Sequence, residues 1–145
     1  MASPRQGETV ATLRLRSGTP ADARNRRIIA SRYLEIADLA AVEEGAGANN
    51  VVVGIAVLAG IAASDAICIS ATGSRYAGDD HAEAARVLAA VDSSLGSELA
   101  KLVRLKPGAH YGSTFISVAD QRRALRAAQA LVEAAIERTA GRRHT

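Results

Sequence analysis

The chain has little with which to cross-link itself or hold a metal. Its one cysteine, Cys68, cannot form an internal disulfide, and it lies in an apolar run where a buried, inert thiol is expected. There is no CxxC pair, and the three His are scattered, so no zinc spacing exists and neither metal nor other cofactor is expected. Trp is absent and aromatics are only 3%. A core must therefore come from Ala, Val, Leu and Ile, which lets helices pack closely. With few β-branched runs and many strong helix formers, the composition points to an all-α domain. The N-terminus lacks the apolar stretch of a secretion signal, so a cytoplasmic protein is expected.

What is present suits one domain: 145 residues, 48% of them hydrophobic. The net charge is +3 and unevenly spread. Residues 1–32 hold seven Arg against Glu8 and Asp22; most acids lie in 33–103, and bases exceed acids again from Arg104 onward. Basic ends around an acidic middle could form a phosphate-facing surface if they meet in space, or could simply be solvated Arg. The stretch VVVGIAVLAGIAA at 51–63 is continuously apolar, but it is shorter than the roughly 20 residues a membrane span needs, and Ser64 and Asp65 follow at once. It reads as a buried central helix, with no membrane involved.

Residues 1–18 read as a flexible basic arm. Alternation in TVATLRLRS hints at a strand, discounted because no partner strand is evident. The first helix starts at TPAD, with Thr19 as N-cap, Pro20 at the first position and Asp22 in the first turn. Ile29, Tyr33, Ile36 and Ala40 form its expected apolar stripe. After the GAGANN loop, where Asn49 or Asn50 can cap, a second helix runs from about Asn50 to Ala71, apolar nearly all round. TGSRYAG reads as a loop. A third helix starts at Asp80, with Glu83 placed as in a capping box. DSSLG interrupts it, and Pro107-Gly108 reads as a stop. The last helix opens at Ser117, with Gly141 a plausible C-cap. Together these predict an up-and-down bundle of four to five helices over 19–140, followed by a basic tail at 141–145.

The stretch RLKPGAHYGSTFIS at 104–117 sets Arg104 and His110 six residues apart around Pro107-Gly108. On one continuous helix the two would face different ways. A break at the Pro-Gly turn could fold them together at the end of the bundle. A histidine can move protons at neutral pH, and a permanently charged arginine can stabilise charge on a phosphoryl group. That pair suits metal-independent RNA cleavage, with the RNA supplying its own 2′-hydroxyl. The plain alternative is that both groups close helix ends or make surface hydrogen bonds. Tyr111 could stack on a base or fill the gap beneath the turn. Asp65, inside an apolar helix, must be paired; it could orient Arg104 or His110, or bond a nearby Arg for structural reasons. His81 reads as a solvated surface residue. Asp79, Asp80, His81 and Glu83 point apart at a helix start, which argues against a metal site.

Four stretches, AASDAICIS, GDDHAEAARVL, LVRLKPGAHYG and VADQRRALRAAQALVEAA, together resemble the HEPN domain (higher eukaryotes and prokaryotes nucleotide-binding domain), over about 19–138. The resemblance implies a helical bundle, usually a homodimer. Catalytic members carry an Arg, four to six residues, then a His, and cleave RNA without metal as toxins, anti-phage factors or processing enzymes. Arg104 and His110, five residues between, fit that pattern. The resemblance thus implies Arg104 as phosphate stabiliser and His110 as acid/base, with Lys106, Tyr111 and Asp65 as substrate-binding or orienting residues. It also implies RNA and a cognate antitoxin or other partner protein as binding partners. The residue after the Arg is usually polar in catalytic members; here it is Leu105. The other reading is a noncatalytic helical module that binds a partner protein or nucleotide.

Overall fold

The computed structural model describes residues 14–140, and within them the protein is a five-helix bundle with one small two-stranded sheet. In chain order the elements are β1 (Leu15–Ser17), α1 (Pro20–Ala40), α2 (Ala48–Thr72), β2 (Ser74–Tyr76), α3 (His81–Val91), α4 (Ser93–His110) and α5 (Val118–Thr139). The central element is α2. It packs against α1, α5 and α4, and it contributes most of the fully buried side chains. By length and composition α2 could cross a membrane, yet 83% of its most apolar window is buried against other helices. An apolar surface on every side has been met by a neighbour on every side.

Local signals placed the helix starts. Thr19 Oγ1 accepts from Asp22 N, and Asp22 Oδ2 accepts from Thr19 N, a reciprocal capping box. Ser117 Oγ accepts from Asp120 N. Asp80 Oδ1 accepts from the amides of Ala82 and Glu83. The box expected there does not close: Glu83 turns to Arg86 instead, at 2.6 Å, and Asp80 N donates to the Tyr76 hydroxyl.

Three expectations are corrected. Part of the hinted strand exists, at Leu15–Ser17, and its partner is Ser74–Tyr76, inside the segment read as loop. Gly73, at φ 81°, ends α2 in the left-handed region and doubles the chain back, so that Gly18 N can donate to Gly73 O. Residues 14–18 are thus part of the folded domain; the rest of the arm, like the basic tail and the Gly141 cap, lies outside the described residues. The stripe expected on α1 is misphased. Ala23, Ala30 and Ala37 face the core, whereas Ile29 and Ile36 are largely exposed. Alanines let α1 lie close against α2, and the larger side chains are turned outward.

The third correction concerns Pro107-Gly108, which does not stop α4. The helix runs through the proline to His110. Proline inside a helix removes one backbone bond and crowds the preceding turn, at a cost of about 3 kcal/mol. Here tertiary contacts offset it. Asn50, in the first turn of α2, donates to Gly108 O and to Thr114 O and accepts from Ile116 N at 2.9 Å. Asn49 donates to Ile116 O and accepts from Gln121 Nε2. The asparagine pair expected to cap α2 instead pins the last turn of α4 and the loop 111–117 to it; the N-cap is Gly47.

Two glycines of α4 should respond oppositely to alanine. A methyl group at Gly96 would fall 2.6 Å from Ala89 Cα and 2.9 Å from Ala89 N, backbone atoms that cannot give way. Gly96→Ala should destabilise by about 1–3 kcal/mol. At Gly108 it would meet nothing within 4 Å. Gly108→Ala should therefore gain about 0.5–1 kcal/mol. Urea melts of both variants test the assignment.

Candidate functional site

Because α4 is continuous, its geometry fixes where its polar side chains go. Six residues advance the helix about 9 Å and turn it about 600°, leaving Arg104 and His110 roughly 120° apart in direction. Arg104 is exposed beside Arg86, Gly96 and Ala100, along the groove between α3 and α4. His110 lies against α2: its Nε2 is 3.2 Å from Gly54 O. A carbonyl oxygen only accepts, so Nε2 carries the proton of that bond and Nδ1 is left as the second polar atom of the ring. Gly54 is required for this contact, since a Cβ there would sit 3.0 Å from the imidazole. Within one chain, then, Arg104 and His110 are not brought together.

His110 has other companions. Lys106, one turn earlier on the same face, holds its ammonium 5.0 Å from the centroid of the Tyr111 ring. The His110 and Tyr111 rings meet edge to face at 6.0 Å. His81, at the start of α3, is within electrostatic reach of both Lys106 and His110. Burial first, then the Lys106 charge, holds the His81 imidazole below the usual histidine range; Asp79 and Asp80 pull it back up, and His110 lowers it further. His81 is thus partly buried between basic and acidic neighbours, not the solvated residue that its place in the sequence suggests.

The loop 111–117 completes this end of the molecule. The chain has three Tyr, one Phe and no Trp. Of these four rings, Tyr111 is 78% exposed and Phe115 72% exposed, both on this loop. Burying either would be worth about 1.5–3 kcal/mol, so the two rings facing water on this pinned loop make it a candidate interaction surface. Asn49 and Asn50, offered by the sequence only as caps, and Phe115, which it did not single out, join this end of the molecule. The only local signal was the Asn-Asn pair opening an apolar helix.

Asp65 has neither Arg104 nor His110 as a partner. Its Oδ2 accepts from Arg26 Nε at 3.2 Å and lies 3.1 Å from Arg26 Nη2 and 3.8 Å from Arg75 Nη1. The structural reading of Asp65 is therefore the one realised: a core-facing carboxylate joins α1, α2 and β2. Burial pushes its pKa upward, and Arg26 and Arg75 only partly counter this. One turn on, burial pushes the Cys68 thiol up to about 11, with the Asp65 charge adding to the rise and a bond from Ser64 opposing it. Asp80 and Glu83 are committed to the cap and to Arg86, and among the described residues no three His, Cys, Asp or Glu side chains converge. No protein-family model matches the chain, and no curated protein matches its sequence.

The ion-pair geometry predicts an asymmetry. The Asp65 side chain is 10% exposed, whereas Arg26 and Arg75 are 33% and 30% exposed and can turn to water. Arg26→Ala should cost about 1.5–3 kcal/mol, because it strands a buried carboxylate. Asp65→Asn should cost about 1 kcal/mol or less. The pH dependence has a definite sign. A carboxyl with a raised folded-state pKa favours the folded state most below its ordinary value, and that contribution is lost as pH climbs to the raised value. Across that window, chemical melts should show Asp65→Asn gaining stability relative to the wild type as pH rises.

Proposed function

We propose that this chain is a HEPN-type protein that binds single-stranded RNA on the loop 111–117. The observation that carries the reading is the exposed pair Tyr111 and Phe115, with Lys106 and His110 alongside. Bases stack on exposed rings whatever their identity, typically for about 1–3 kcal/mol each, while the Lys106 ammonium meets the backbone phosphates. Asn50 lowers the ordering cost by holding the loop in place before RNA arrives.

Metal-independent cleavage is the second step of the same proposal, and it calls for two copies. The Gly54 carbonyl holds the His110 ring in one tautomer, which leaves Nδ1 to accept the 2′-hydroxyl proton. The alkoxide attacks the adjacent phosphorus, the bond from phosphorus to the 5′-oxygen breaks as that oxygen takes a proton back from the His110 imidazolium, and a 2′,3′-cyclic phosphate remains. Arg104 of the same chain faces elsewhere, so the phosphate-stabilising guanidinium comes from a second copy. An apolar surface fits that arrangement: Ile28, Ile36, Leu39 and Val42 are each at least half exposed on the outward side of α1. Beside them Arg27 Nε is covered, with no hydrogen-bond partner among the described residues.

Fluorescence anisotropy with a labelled single-stranded RNA should show binding that weakens about tenfold or more in Tyr111→Ala and again in Phe115→Ala, equivalent to about 1.4 kcal/mol per tenfold step. Undiminished binding in the double variant would remove the loop from the interface and favour a noncatalytic module for a protein partner. In EDTA the wild type should yield cyclic-phosphate ends, a 2′-deoxy residue at the cut should block the reaction, and His110→Ala should slow it about 10²–10⁴-fold. A requirement for magnesium would overturn the cleavage step.

The dimer has its own test. Light scattering at micromolar concentration should give twice the chain mass for the wild type. For Leu39→Glu, which places a charge on the outward face of α1, it should give the mass of one chain.

A further inference from the structure

A second basic site lies away from the loop, in a cavity of about 180 Å³ walled by α1, α2, β2, α3 and α4. Its polar lining is Arg26, Asp65, Arg75, Tyr76 and His81. Both guanidiniums are directed to one oxygen, Asp65 Oδ2. A guanidinium carries five N–H donors. Arg26 uses Nε and Nη2 on the carboxylate, and Arg75 uses Nη1 on the Tyr76 carbonyl at 3.4 Å. Donors remain on both side chains, which line the cavity and are 33% and 30% exposed.

Charge is unbalanced in the same place. Two permanent cations face one carboxylate, which leaves about one net positive charge in a partly enclosed space where screening by water is weak. Arg26 and Arg75 both lie against Asp65 Oδ2, so two cations are set beside one carboxylate at the cavity wall. The carboxylate acts here as the strut that fixes two flexible arginines in advance of binding. His81, at the start of α3, also lines the cavity.

Size narrows the ligand. At about 30 Å³ per water the cavity holds roughly six, comparable with a hydrated tetrahedral oxyanion. It is smaller than the roughly 300–1,000 Å³ of pockets that enclose drug-sized molecules, so a whole nucleotide does not fit. We propose that the Arg26–Arg75–His81 cavity is a receptor for a single phosphate group, either free orthophosphate or the terminal phosphate of a nucleic acid. This cavity shares no lining residue with the loop 111–117, and its failure would leave the RNA reading untouched.

The experiment is phosphorus NMR and thermal melting of the full chain in sodium phosphate, against sodium chloride at matched ionic strength. Saturable broadening of the phosphate resonance, with a melting temperature that rises in phosphate and not in chloride, is the expected result. Arg75→Gln, which keeps the Arg26–Asp65 pair, should abolish both effects; Tyr111→Ala should preserve them. A titration with 5′-phosphorylated and 5′-hydroxyl forms of one short RNA separates the sources. A tenfold preference for the phosphorylated form, lost in Arg75→Gln, identifies a strand terminus. Equal binding of the two forms, with orthophosphate saturating, identifies the free anion. If Arg75→Gln were too unstable to study, Arg75→Lys would serve: it keeps one charge but loses the fork, and should weaken phosphate binding at least tenfold. Linear, non-saturating broadening, or an equal melting shift in chloride, would overturn the proposal.

Discussion

A helix that is apolar on every side cannot be left facing water, and that constraint on α2 organises this molecule. Its Val, Ile and Ala side chains are buried over almost the whole length from Val52 to Ile69. Satisfying it takes α1, α4 and α5 as walls, and small residues where those walls come close. Gly60 is one such point, occupied from the other side by Leu99, Leu102 and Leu131. Ala30 and Ala37 on α1 are another, and their cost is the exposure of that helix's larger residues. The polar groups that break the pattern are few, and each of them governs a neighbour: Asn49 and Asn50 hold the α4–α5 connection, Gly54 offers its carbonyl to His110, and Asp65 draws in two arginines.

What could be read from the sequence was local in origin. Thr19, Asp80 and Ser117 cap amides two or three residues ahead, so their roles are written in adjacent letters. The central helix was legible because its composition alone decides its burial. The α1 stripe was not, because periodicity weights large side chains, whereas close packing of two helices selects small ones.

The candidate site was less legible, and the reason is distance along the chain. Asp65 meets Arg26 across 39 positions, and Asn50 meets Ile116 across 66. No spacing rule reaches that far. Pro107 shows the same limit from the other direction. The local rule says that the helix ends, but contacts from α2 extend it by one more turn, and this moves His110 to a different face from Arg104. Lys106 and Tyr111, taken from the same stretch, do lie together, since they are close enough in sequence to be close in space whichever way the turn folds. The two-stranded sheet depended on a pairing between Leu15–Ser17 and Ser74–Tyr76 that neither segment announces alone.

The Cys68 thiol gives the bundle an internal chemical clock. With a pKa of about 11, only about one molecule in ten thousand carries the thiolate at neutral pH while the helices stay closed. Opening of the α2 environment restores the ordinary acidity of the group and exposes it at the same moment. Because it is the chain's only sulfhydryl, the rate at which an alkylating reagent consumes it counts openings of the core helix, without any label having been introduced. A residue that takes no part in recognition thus records how often the scaffold beneath the site lets go.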